Sequence, residues 1–289
     1  MKIIITGSNG QLGNEMRVLS GRYNHEYVFT DIAELDITNE AAVMSFMEAQ
    51  KPDFVVNCAA YTDVNKAESD EQKAALINAT APGILAKGCK ANGARFIHVS
   101  TDYVFDGKGH IPYKESDPTG PVSAYGRTKL DGEKNVAANT DAYAIIRTCW
   151  LYSSFGKNFV KTMAQLGSTR NELGVVFDQV GTPTYAADLA EAIFAIINKT
   201  SENAGNFVSG IYHFSNEGVC SWYDFTVAIM KLYNLSCNVK PIHTEDYPTP
   251  AQRTAYSVLD KSKIKETYGI DIPHWHSSLV KCVEILQKQ

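Results

Sequence analysis

The sequence KIIITGSNGQLG, residues 2–13, decides the fold. It joins an apolar run to a turn with glycines at positions 7, 10 and 13, and apolar residues at helical spacing follow over Leu12–Leu19. Glycine suits this turn because the chain must bend tightly, bring its backbone against a pyrophosphate and pack the helix closely on the strand. Free N–H groups at the helix start favour a bound anion. The stretch predicts a dinucleotide-binding unit, although a glycine-rich turn alone is a weak signal.

Outward from this turn, the first half of the chain alternates short apolar runs with amphipathic stretches. Strands that are apolar on both faces are typical of a parallel sheet covered by helices, and right-handed crossovers make such a sheet doubly wound. We therefore predict an α/β fold with a Rossmann-type doubly wound parallel sheet. The predicted strands are Lys2–Thr6, Tyr27–Thr30, Phe54–Asn57, Arg95–Val99 and Ala142–Arg147, and the predicted helices are Leu12–Leu19, Glu40–Gln50, Glu71–Ala91 and Ala124–Ala138.

After about residue 150 the pattern is less regular, and neither a repeat nor a Pro/Ser-rich linker interrupts it. We predict a dinucleotide-binding domain of residues 1–150 plus parts of 178–215. A smaller C-terminal α/β lobe, formed mainly by residues 151–289, packs on it and binds the substrate. The helices predicted there are Asn158–Leu166, Ala186–Asn198, Trp222–Tyr233 and Ser277–Gln287, and the strands are Val175–Phe177 and Ile211–His213.

Composition narrows the class of protein. The chain has 289 residues, of which 44% are hydrophobic and 20% charged, which is ordinary for a globular protein. Its net charge of −5 offers little to a polyanionic backbone, so we expect no nucleic-acid partner. No apolar run approaches the roughly 18 residues that span a bilayer, and the start of the chain reads as a buried strand. The six scattered cysteines are typical of buried thiols in a reducing compartment. We predict a cytoplasmic protein with no membrane contact.

Acidic and small residues follow two further predicted strands. Asp31 lies about 20 residues beyond the glycines, where a carboxylate accepts hydrogen bonds from an adenosine ribose and repels a 2′-phosphate. A turn or helix-capping aspartate is the alternative there. Asp36 and Ile37 border the adenine in the first interpretation, whereas in the second Asp36 caps the next helix. The small residues of 57–62 let a backbone pass close to a cofactor, or reflect tight packing alone.

A second group of polar residues follows the fourth predicted strand, where Ser100 and Thr101 precede Tyr125 and Lys129. Spacing of four places the last two on one helix face, a turn apart. An ammonium beside a phenol lowers the pKa of the tyrosine, which makes it a usable general acid. About one Tyr-x-x-x-Lys pair is expected by chance in a chain of this composition. The evidence for a catalytic role is therefore the position of the pair, which follows a dinucleotide-binding turn in the sequence.

With these motifs the sequence resembles the extended short-chain dehydrogenase/reductases, in their sugar-nucleotide branch. The resemblance runs in order from residue 1 to about 255. It implies NADPH- or NADH-dependent reduction of the C4 keto group of a dTDP-linked sugar, dTDP-4-dehydro-L-rhamnose, to give dTDP-L-rhamnose, a precursor of cell-surface polysaccharide. The strings that carry it are residues 7–13, VVNCAAYTDV at 55–64, STDYVF at 100–105, RTCW at 147–150, DQVGTPT at 178–184 and YPTPAQR at 247–253.

The resemblance also implies roles for particular residues. Tyr125 protonates the developing alkoxide, Thr101 hydrogen-bonds the carbonyl oxygen, and Lys129 binds the nicotinamide ribose and keeps the pKa of Tyr125 low. Asp102, Trp150 and Arg253 complete the substrate contacts, with Thr101 and Tyr125. The implied cofactor contacts are Gly7, Asn9, Gly10, Gln11, Leu12, Gly13, Asp31, Asp36, Ile37, Ala59, Ala60, Tyr61, Thr62, Tyr125 and Lys129.

Other positions keep two interpretations. Asn78 matches a position that supports the proton relay, and equally fits a buried, satisfied helix asparagine. Trp150 packs on the sugar or belongs to the core. Residues 182–184 form a loop that could close the site. Arg253 is a diphosphate clamp or a surface arginine after a proline-rich turn.

Some relatives of this type hold Mg²⁺ through glutamates near a dimer contact, and Glu15 fits one such position. A second glutamate is expected at Ala187, and Asp188, one residue on, would face elsewhere on a helix. We therefore predict no metal site and interpret Glu15 as a first-turn helix acid. The sequence leaves open whether the protein forms a homodimer.

Two alternative functions remain at this point. One is a related reductase, epimerase or dehydratase acting on another nucleotide sugar, although Tyr103 stands where a dehydratase typically has a glutamate. The other is a non-catalytic regulatory subunit on the same fold, which predicts a broken tyrosine–lysine pair or a damaged glycine turn. Both features are intact here.

Overall fold

A six-stranded sheet forms the centre of the molecule, and each neighbouring pair of its strands is parallel. The computed structural model describes residues 1–289. The strands, numbered in chain order, are β1 (Lys2–Thr6), β2 (Glu26–Thr30), β3 (Phe54–Asn57), β4 (Arg95–Thr101), β5 (Tyr143–Thr148) and β10 (Gly210–His213). Across the sheet they lie in the order β10-β5-β4-β3-β1-β2. The predicted Rossmann-type parallel sheet is confirmed.

Helices cover both faces of this sheet because its strands alternate two sets of apolar side chains. Ile3 and Ile5 share one hydrophobic cluster with Met16 and Ile193, whereas Ile4 belongs to another. The helices are α1 (Gln11–Ser20), α2 (Glu40–Gln50), α3 (Val64–Ala67), α4 (Glu71–Ala75), α5 (Ala81–Asn92), α6 (Ala124–Asn139), α7 (Phe159–Thr169), α8 (Ala186–Glu202), α9 (Trp222–Leu232), α10 (Ser262–Tyr268) and α11 (Trp275–Leu286).

The order of the strands reverses at β1. The chain passes from β1 to β2 on one side and continues through β3, β4 and β5 on the other. In open parallel sheets, a ligand crevice lies outside the carboxyl ends of the strands at such a reversal. Gly7 follows β1 and Ala59 follows β3, so both stand at this crevice. The topology therefore places the glycine turn where a dinucleotide is expected.

The helix predicted over residues 71–91 contains a π-helical turn. Leu76–Thr80 forms this turn between α4 and α5, so the segment is one helical rod with a wider middle. Such turns insert one extra residue and often occur at functional sites. Hydrophobic periodicity cannot reveal the turn, because the buried face continues through it.

Outside the central sheet, the chain after residue 150 forms the C-terminal helices and seven short strands. They are β6 (Leu151–Tyr152), β7 (Glu172–Val176), β8 (Val180–Gly181), β9 (Thr184–Tyr185), β11 (Cys220–Ser221), β12 (Asn238–Ile242) and β13 (Tyr256–Ser257). A hydrophobic cluster around Tyr152, Phe225 and Trp275 lies among β6, β9, α9 and α11, and a smaller cluster around Leu173 and Val175 lies beneath β7 and β12. By contrast, α8 and α10 pack on the cluster of the main sheet. The division into two lobes near residue 150 stays a prediction.

Sequence reasoning missed β12 and α10. Strand β12 contains Pro241 and pairs only with β7, in a two-stranded ribbon where a residue without an N–H is tolerated. Helix α10 has only seven residues. The longest helix, α8, has 17 residues, and none has both the length and the apolar character to cross a membrane.

We expect Gly7→Ala to destabilise the fold strongly. Gly7 has φ +65°, and a Cβ there would lie 2.5 Å from the Ala59 backbone nitrogen. The left-handed conformation costs an L-residue about 1–2 kcal/mol, and the clash adds about 1–3 kcal/mol. Gly21→Ala is the matched control, because Gly21 has φ −63° and open space around it. Urea denaturation should show a large loss for the first variant and no loss for the second. Equal stabilities would contradict the packing described here.

Candidate active site

The glycine turn presents backbone to the crevice. A Cβ on Gly13 would lie 2.5 Å from the Gly7 carbonyl oxygen, so the third glycine allows α1 to pack against β1. Gly10 is exposed, and a Cβ there would lie 3.2 Å from the Gly7 carbonyl oxygen. Packing within the chain therefore excludes a side chain less strongly at Gly10 than at Gly7 or Gly13. Gly10 is also the N-cap of α1 and supplies no capping side chain. The turn therefore leaves a cradle and a helix N-terminus that fit a pyrophosphate.

The carboxylate of Asp31 is hydrogen-bonded to the backbone of this glycine turn. Its Oδ2 accepts a hydrogen bond from Asn9 N at 2.9 Å, and its Oδ1 accepts one from Ile32 N at 2.8 Å. Asp36 instead accepts bonds from the backbone and hydroxyl of Thr38, which lower its pKa. The alternative in which Asp36 caps the next helix is wrong, because Asn39 caps α2. Ile37 is buried in the cluster beneath.

The segment after β3 lines the other side of the crevice, and Asn78 fixes it. Ala59, Ala60 and Tyr61 are half-buried and Thr62 is exposed. Asn78, in the π-helical turn, accepts a hydrogen bond from Tyr61 N at 2.8 Å and donates one to Tyr61 O at 3.1 Å. It is a buried, satisfied asparagine that holds the backbone of this segment.

Thr101 ends β4 and Asp102 follows it, and both side chains are buried. Thr101 Oγ1 donates to Asp102 Oδ1 at 3.0 Å and accepts from Tyr103 N at 3.2 Å. Asp102 Oδ2 is buried without a hydrogen-bond partner. Burial raises the pKa of Asp102 to about 6, against the lowering effect of neighbouring hydroxyls. The unpaired oxygen gives the site one carboxylate acceptor that the chain itself does not use.

Tyr125 and Lys129 lie in α6, as predicted, and Ser123 caps its start. Burial raises the pKa of Tyr125, and hydrogen bonding with Thr101 opposes the rise. The expectation that Lys129 holds this pKa low is wrong for this arrangement. Lys129 Nζ donates to Val99 O at 2.6 Å and lies 3.4 Å from His98 Nε2, so its contacts are with the strand and it makes no hydrogen bond to the phenol.

Sequence reasoning missed the buried charges behind this pair. Arg147 of β5 forms a two-pronged ion pair with Glu133 of α6, at 2.9 and 2.7 Å, and both side chains are 3% exposed. Ser100 Oγ donates to the same carboxylate at 2.6 Å. Only the position of the arginine within an apolar strand could have indicated a buried partner. The network fixes α6 against β4 and β5.

Trp150 follows β5 with a left-handed backbone, φ 48°. Its ring stacks on Trp222 at 3.5 Å between centroids and 12° between planes, and it fills the space that the missing side chain of Gly181 leaves. Both rings are partly buried and pack against the hydrophobic cluster that contains Tyr152, Phe225 and Trp275. Trp222 was not predicted as part of the site.

Residues 182–184 do not form a closing loop, contrary to expectation. Thr182 and Thr184 are fully buried. Thr182 Oγ1 donates to Gly218 O at 2.7 Å, and Thr148 Oγ1 donates to Thr184 Oγ1 at 3.2 Å. These bonds fix the segment between β8 and β9.

Arg253 lies beside the end of β4. Its guanidinium donates to Tyr103 Oη at 3.0 Å and to Asn65 Oδ1 at 2.8 Å, and Tyr103 in turn packs edge-on against Tyr125, with 5.5 Å between ring centroids. The side chain is half-buried. The guanidinium of Arg253 is therefore fixed by its neighbours, and a free surface arginine is excluded.

Glu15 is not a first-turn acid of α1. It is 4% exposed, lies beyond the first turn of α1, and accepts a hydrogen bond from Ser153 Oγ at 2.6 Å. Burial raises the pKa of Glu15, against the lowering effect of its hydrogen bonds with Ser153 and Ser154. Asn216 and Ser278 donate to Asp188. No group of three His, Cys, Asp or Glu side chains is placed to hold a metal ion.

The fold and the site together define an NAD(P)H-dependent oxidoreductase of the short-chain dehydrogenase/reductase class. The glycine cradle lies at the reversal of the sheet, and the threonine, tyrosine and lysine stand beside it on β4 and α6. The sequence matches the family model described as the RmlD substrate binding domain over residues 1–288, and the chain belongs to this family.

Several relatives and solved structures are similar to this chain over nearly its whole length. A dTDP-4-dehydrorhamnose reductase of Burkholderia thailandensis is 41% identical over the whole of both chains. The crystal structure of a dTDP-4-dehydrorhamnose reductase from Clostridium acetobutylicum has a TM-score of 0.94 and 45% identity, covering 99% of this chain and 100% of that one. The Bacillus anthracis dTDP-4-dehydrorhamnose reductase in complex with NADP has a TM-score of 0.92 and 37% identity, covering 98% and 99%.

We expect Asp102→Asn to stabilise the protein increasingly as the pH rises from about 4 to about 6. The pKa of Asp102 is raised in the folded state, so its ionised form costs stability above pH 6, and this cost disappears below the unfolded pKa near 4. The gain should reach on the order of 2–3 kcal/mol near pH 7.

Urea denaturation at several pH values measures this gain. The control is Asp141→Asn, whose parent side chain is 93% exposed and should show no comparable trend. A gain for Asp102→Asn that is constant from pH 4 to 8 would contradict the raised pKa.

Proposed function

We propose that this protein reduces the C4 keto group of dTDP-4-dehydro-L-rhamnose to give dTDP-L-rhamnose. The observation that carries the proposal is the grouping of Thr101, Tyr125 and Lys129 beside the glycine crevice. The chain that contains this group is similar over its full length to dTDP-4-dehydrorhamnose reductases. A regulatory subunit without catalysis is disfavoured because the tyrosine–lysine pair and the turn are intact. The product would serve the synthesis of cell-surface polysaccharide.

The cofactor cradle would be formed by the turn after β1. Gly10 and the N-terminus of α1 would receive the pyrophosphate, Asp31 the adenosine ribose, and the segment from Ala59 to Thr62 the far side of the dinucleotide. When bound, the reduced nicotinamide supplies a hydride. Lys129 would bind its ribose. The B. anthracis structure contains NADP, and we propose that the present chain uses NADPH or NADH.

Tyr125 would supply the proton. A raised pKa keeps its phenol protonated at neutral pH, so the hydroxyl is ready to donate when a negative charge develops on the C4 oxygen. Thr101 is a neighbour of Tyr125 at the end of β4, and its hydroxyl already donates to Asp102 Oδ1. This pair would orient the phenol in the free site and then hydrogen-bond the substrate oxygen.

The remaining residues would recognise the dTDP sugar. Trp150 presents an aromatic face for the apolar side of the 6-deoxy sugar, and the Trp222 ring supports it from behind. Asp102 offers its unpaired carboxylate oxygen to a sugar hydroxyl. Arg253 would bind the diphosphate, and the bonds to Tyr103 and Asn65 hold the guanidinium in place.

We propose further that the protein works in the cytoplasm, where nucleotide sugars are made. The net charge of −5 offers little attraction to the polyanionic backbone of a nucleic acid. A homodimer and the absence of a magnesium site also remain proposals.

We expect Tyr125→Phe to abolish turnover while leaving the fold and cofactor binding intact. Removing a general acid typically costs 10²–10⁴-fold in rate. Loss of near-ultraviolet absorbance of NADPH or NADH, with dTDP-4-dehydro-L-rhamnose as substrate, measures the reaction. Tyr143→Phe is the control, because Tyr143 starts β5 at the end of the sheet away from the site.

Two results would overturn this picture. Full activity of Tyr125→Phe would remove the assigned acid. No oxidation of either cofactor by the unaltered protein, despite tight cofactor binding, would remove the reductase assignment itself.

We expect Asp31→Asn to favour NADPH over NADH more than the unaltered protein does. The amide keeps an acceptor for Asn9 N and removes the charge that repels a 2′-phosphate. The ratio of the two dissociation constants, measured by cofactor fluorescence, should shift toward NADPH by about tenfold. Asp53→Asn, at the amino end of β3, is the control. An unchanged ratio would mean that Asp31 does not face the ribose.

A further inference from the structure

A row of buried polar side chains crosses the sheet beneath the glycine turn. Thr6, Asn57 and His98 occupy facing positions on β1, β3 and β4. None of them is more than 1% exposed. The row ends at Lys129, whose Nζ lies 3.4 Å from His98 Nε2 and 2.6 Å from Val99 O. It therefore joins the residue before the cofactor turn to the lysine of the site.

The backbone fixes which way the amide of Asn57 points. Ala59 N donates to Asn57 Oδ1 at 3.1 Å, and Thr6 Oγ1 donates to the same oxygen at 2.7 Å. A backbone N–H can only donate, so the oxygen must lie on that side. The amide nitrogen consequently faces His98 Nδ1, at 3.1 Å, and donates to it.

This bond decides where the proton of His98 lies. Because Nδ1 accepts a hydrogen bond, a neutral ring must carry its proton on Nε2. Burial lowers the pKa of His98, and the charge of Lys129 lowers it further, which keeps the ring neutral. His98 therefore presents an N–H to Lys129 Nζ.

An ammonium cannot complete this contact, since it has three donors and no lone pair. A neutral amine can, because it accepts from Nε2 while donating to Val99 O. Of the surrounding charges, Glu133 on α6 favours the ammonium, but Arg147 of β5 binds both of its oxygens. Tyr125 lies one turn earlier on α6, and Asp102 follows β4. Burial lowers the pKa of Lys129 to about 8.

We propose that His98 is a positioning residue for the reduction, whose Nε2–H stabilises the neutral amine of Lys129. After Tyr125 has given its proton to the C4 alkoxide, the ammonium of Lys129 returns a proton to the phenolate. The amine left behind accepts the hydrogen bond from His98 until it takes a proton from water. Asn57 secures the histidine tautomer that this requires. The proposal rests on the proposed function for its role in turnover.

The tautomer is tested without turnover. Long-range ¹H–¹⁵N correlation spectra of the ¹⁵N-histidine-labelled protein distinguish Nε2–H, Nδ1–H and imidazolium rings, and loss of one set of peaks in His98→Asn assigns the signal. We expect the neutral Nε2–H form at pH 7. An Nδ1–H ring or an imidazolium would overturn the proposal whatever the substrate proves to be.

The pH profile of kcat/KM tests the effect on Lys129. His98→Gln places an amide oxygen near Nζ that accepts from the ammonium, and His98→Asn keeps an acceptor for Asn57 while removing the opposing N–H. Both should move the alkaline limb upward by about one pH unit, a tenfold change in proton affinity. His213→Asn, another fully buried histidine, is the matched control.

A merely structural role would lower turnover at every pH and leave the limb in place, which would overturn the proposal. If the unaltered protein turns over no substrate, the proposed function fails, and the spectra still decide the arrangement of His98.

Discussion

The close approach of Gly7 to the backbone of Ala59 is the constraint on which the site depends. It brings the ends of β1 and β3 together at the reversal of strand order, where a Cβ would stand 2.5 Å from a backbone nitrogen. Because the two chain segments touch there, backbone from both of them lines the crevice. Asp31 and Asn78 then fasten one segment each, through Asn9 N and through both backbone groups of Tyr61. The cradle is thus built before any ligand arrives, which reduces the entropy lost on binding.

Beneath the crevice, the protein buries several charged and titratable groups that are costly without partners. Arg147 and Glu133 form a two-pronged ion pair to which Ser100 adds a third bond, and Arg147 Nη1 is left without a partner. Lys129 and His98 share a poorer contact, and Asp102 keeps one oxygen unpaired. The ion pair holds α6 in place, whereas Lys129, His98 and Asp102 lie at the reacting end. Buried groups whose pKa is displaced are characteristic of catalytic positions.

Much of the fold could be predicted from the sequence. The apolar runs of the first half mark strands because a parallel sheet buries both of their faces, and the glycine spacing of residues 7–13 locates the cofactor turn. The grouping of Thr101, Tyr125 and Lys129 follows from helical spacing and from the meeting of parallel strands at one edge. What the sequence could not predict depends on side-chain direction. Lys129 turns toward Val99 O, Glu15 is buried against Ser153, and Asn39 takes the capping place considered for Asp36. Each result depends on which partner lies within a few ångströms in space, and spacing along the chain does not report that.

The aromatic stack of Trp150 on Trp222 has a spectroscopic consequence. The chain has three tryptophans, and the third, Trp275, contacts the same hydrophobic cluster as the other two. The dinucleotide-binding strands β1 to β5 and helices α1 to α6 contain none. Intrinsic tryptophan emission therefore reports on one region of the molecule alone. A denaturation curve followed by this emission describes the loss of the C-terminal cluster, and amide circular dichroism is needed to follow the sheet.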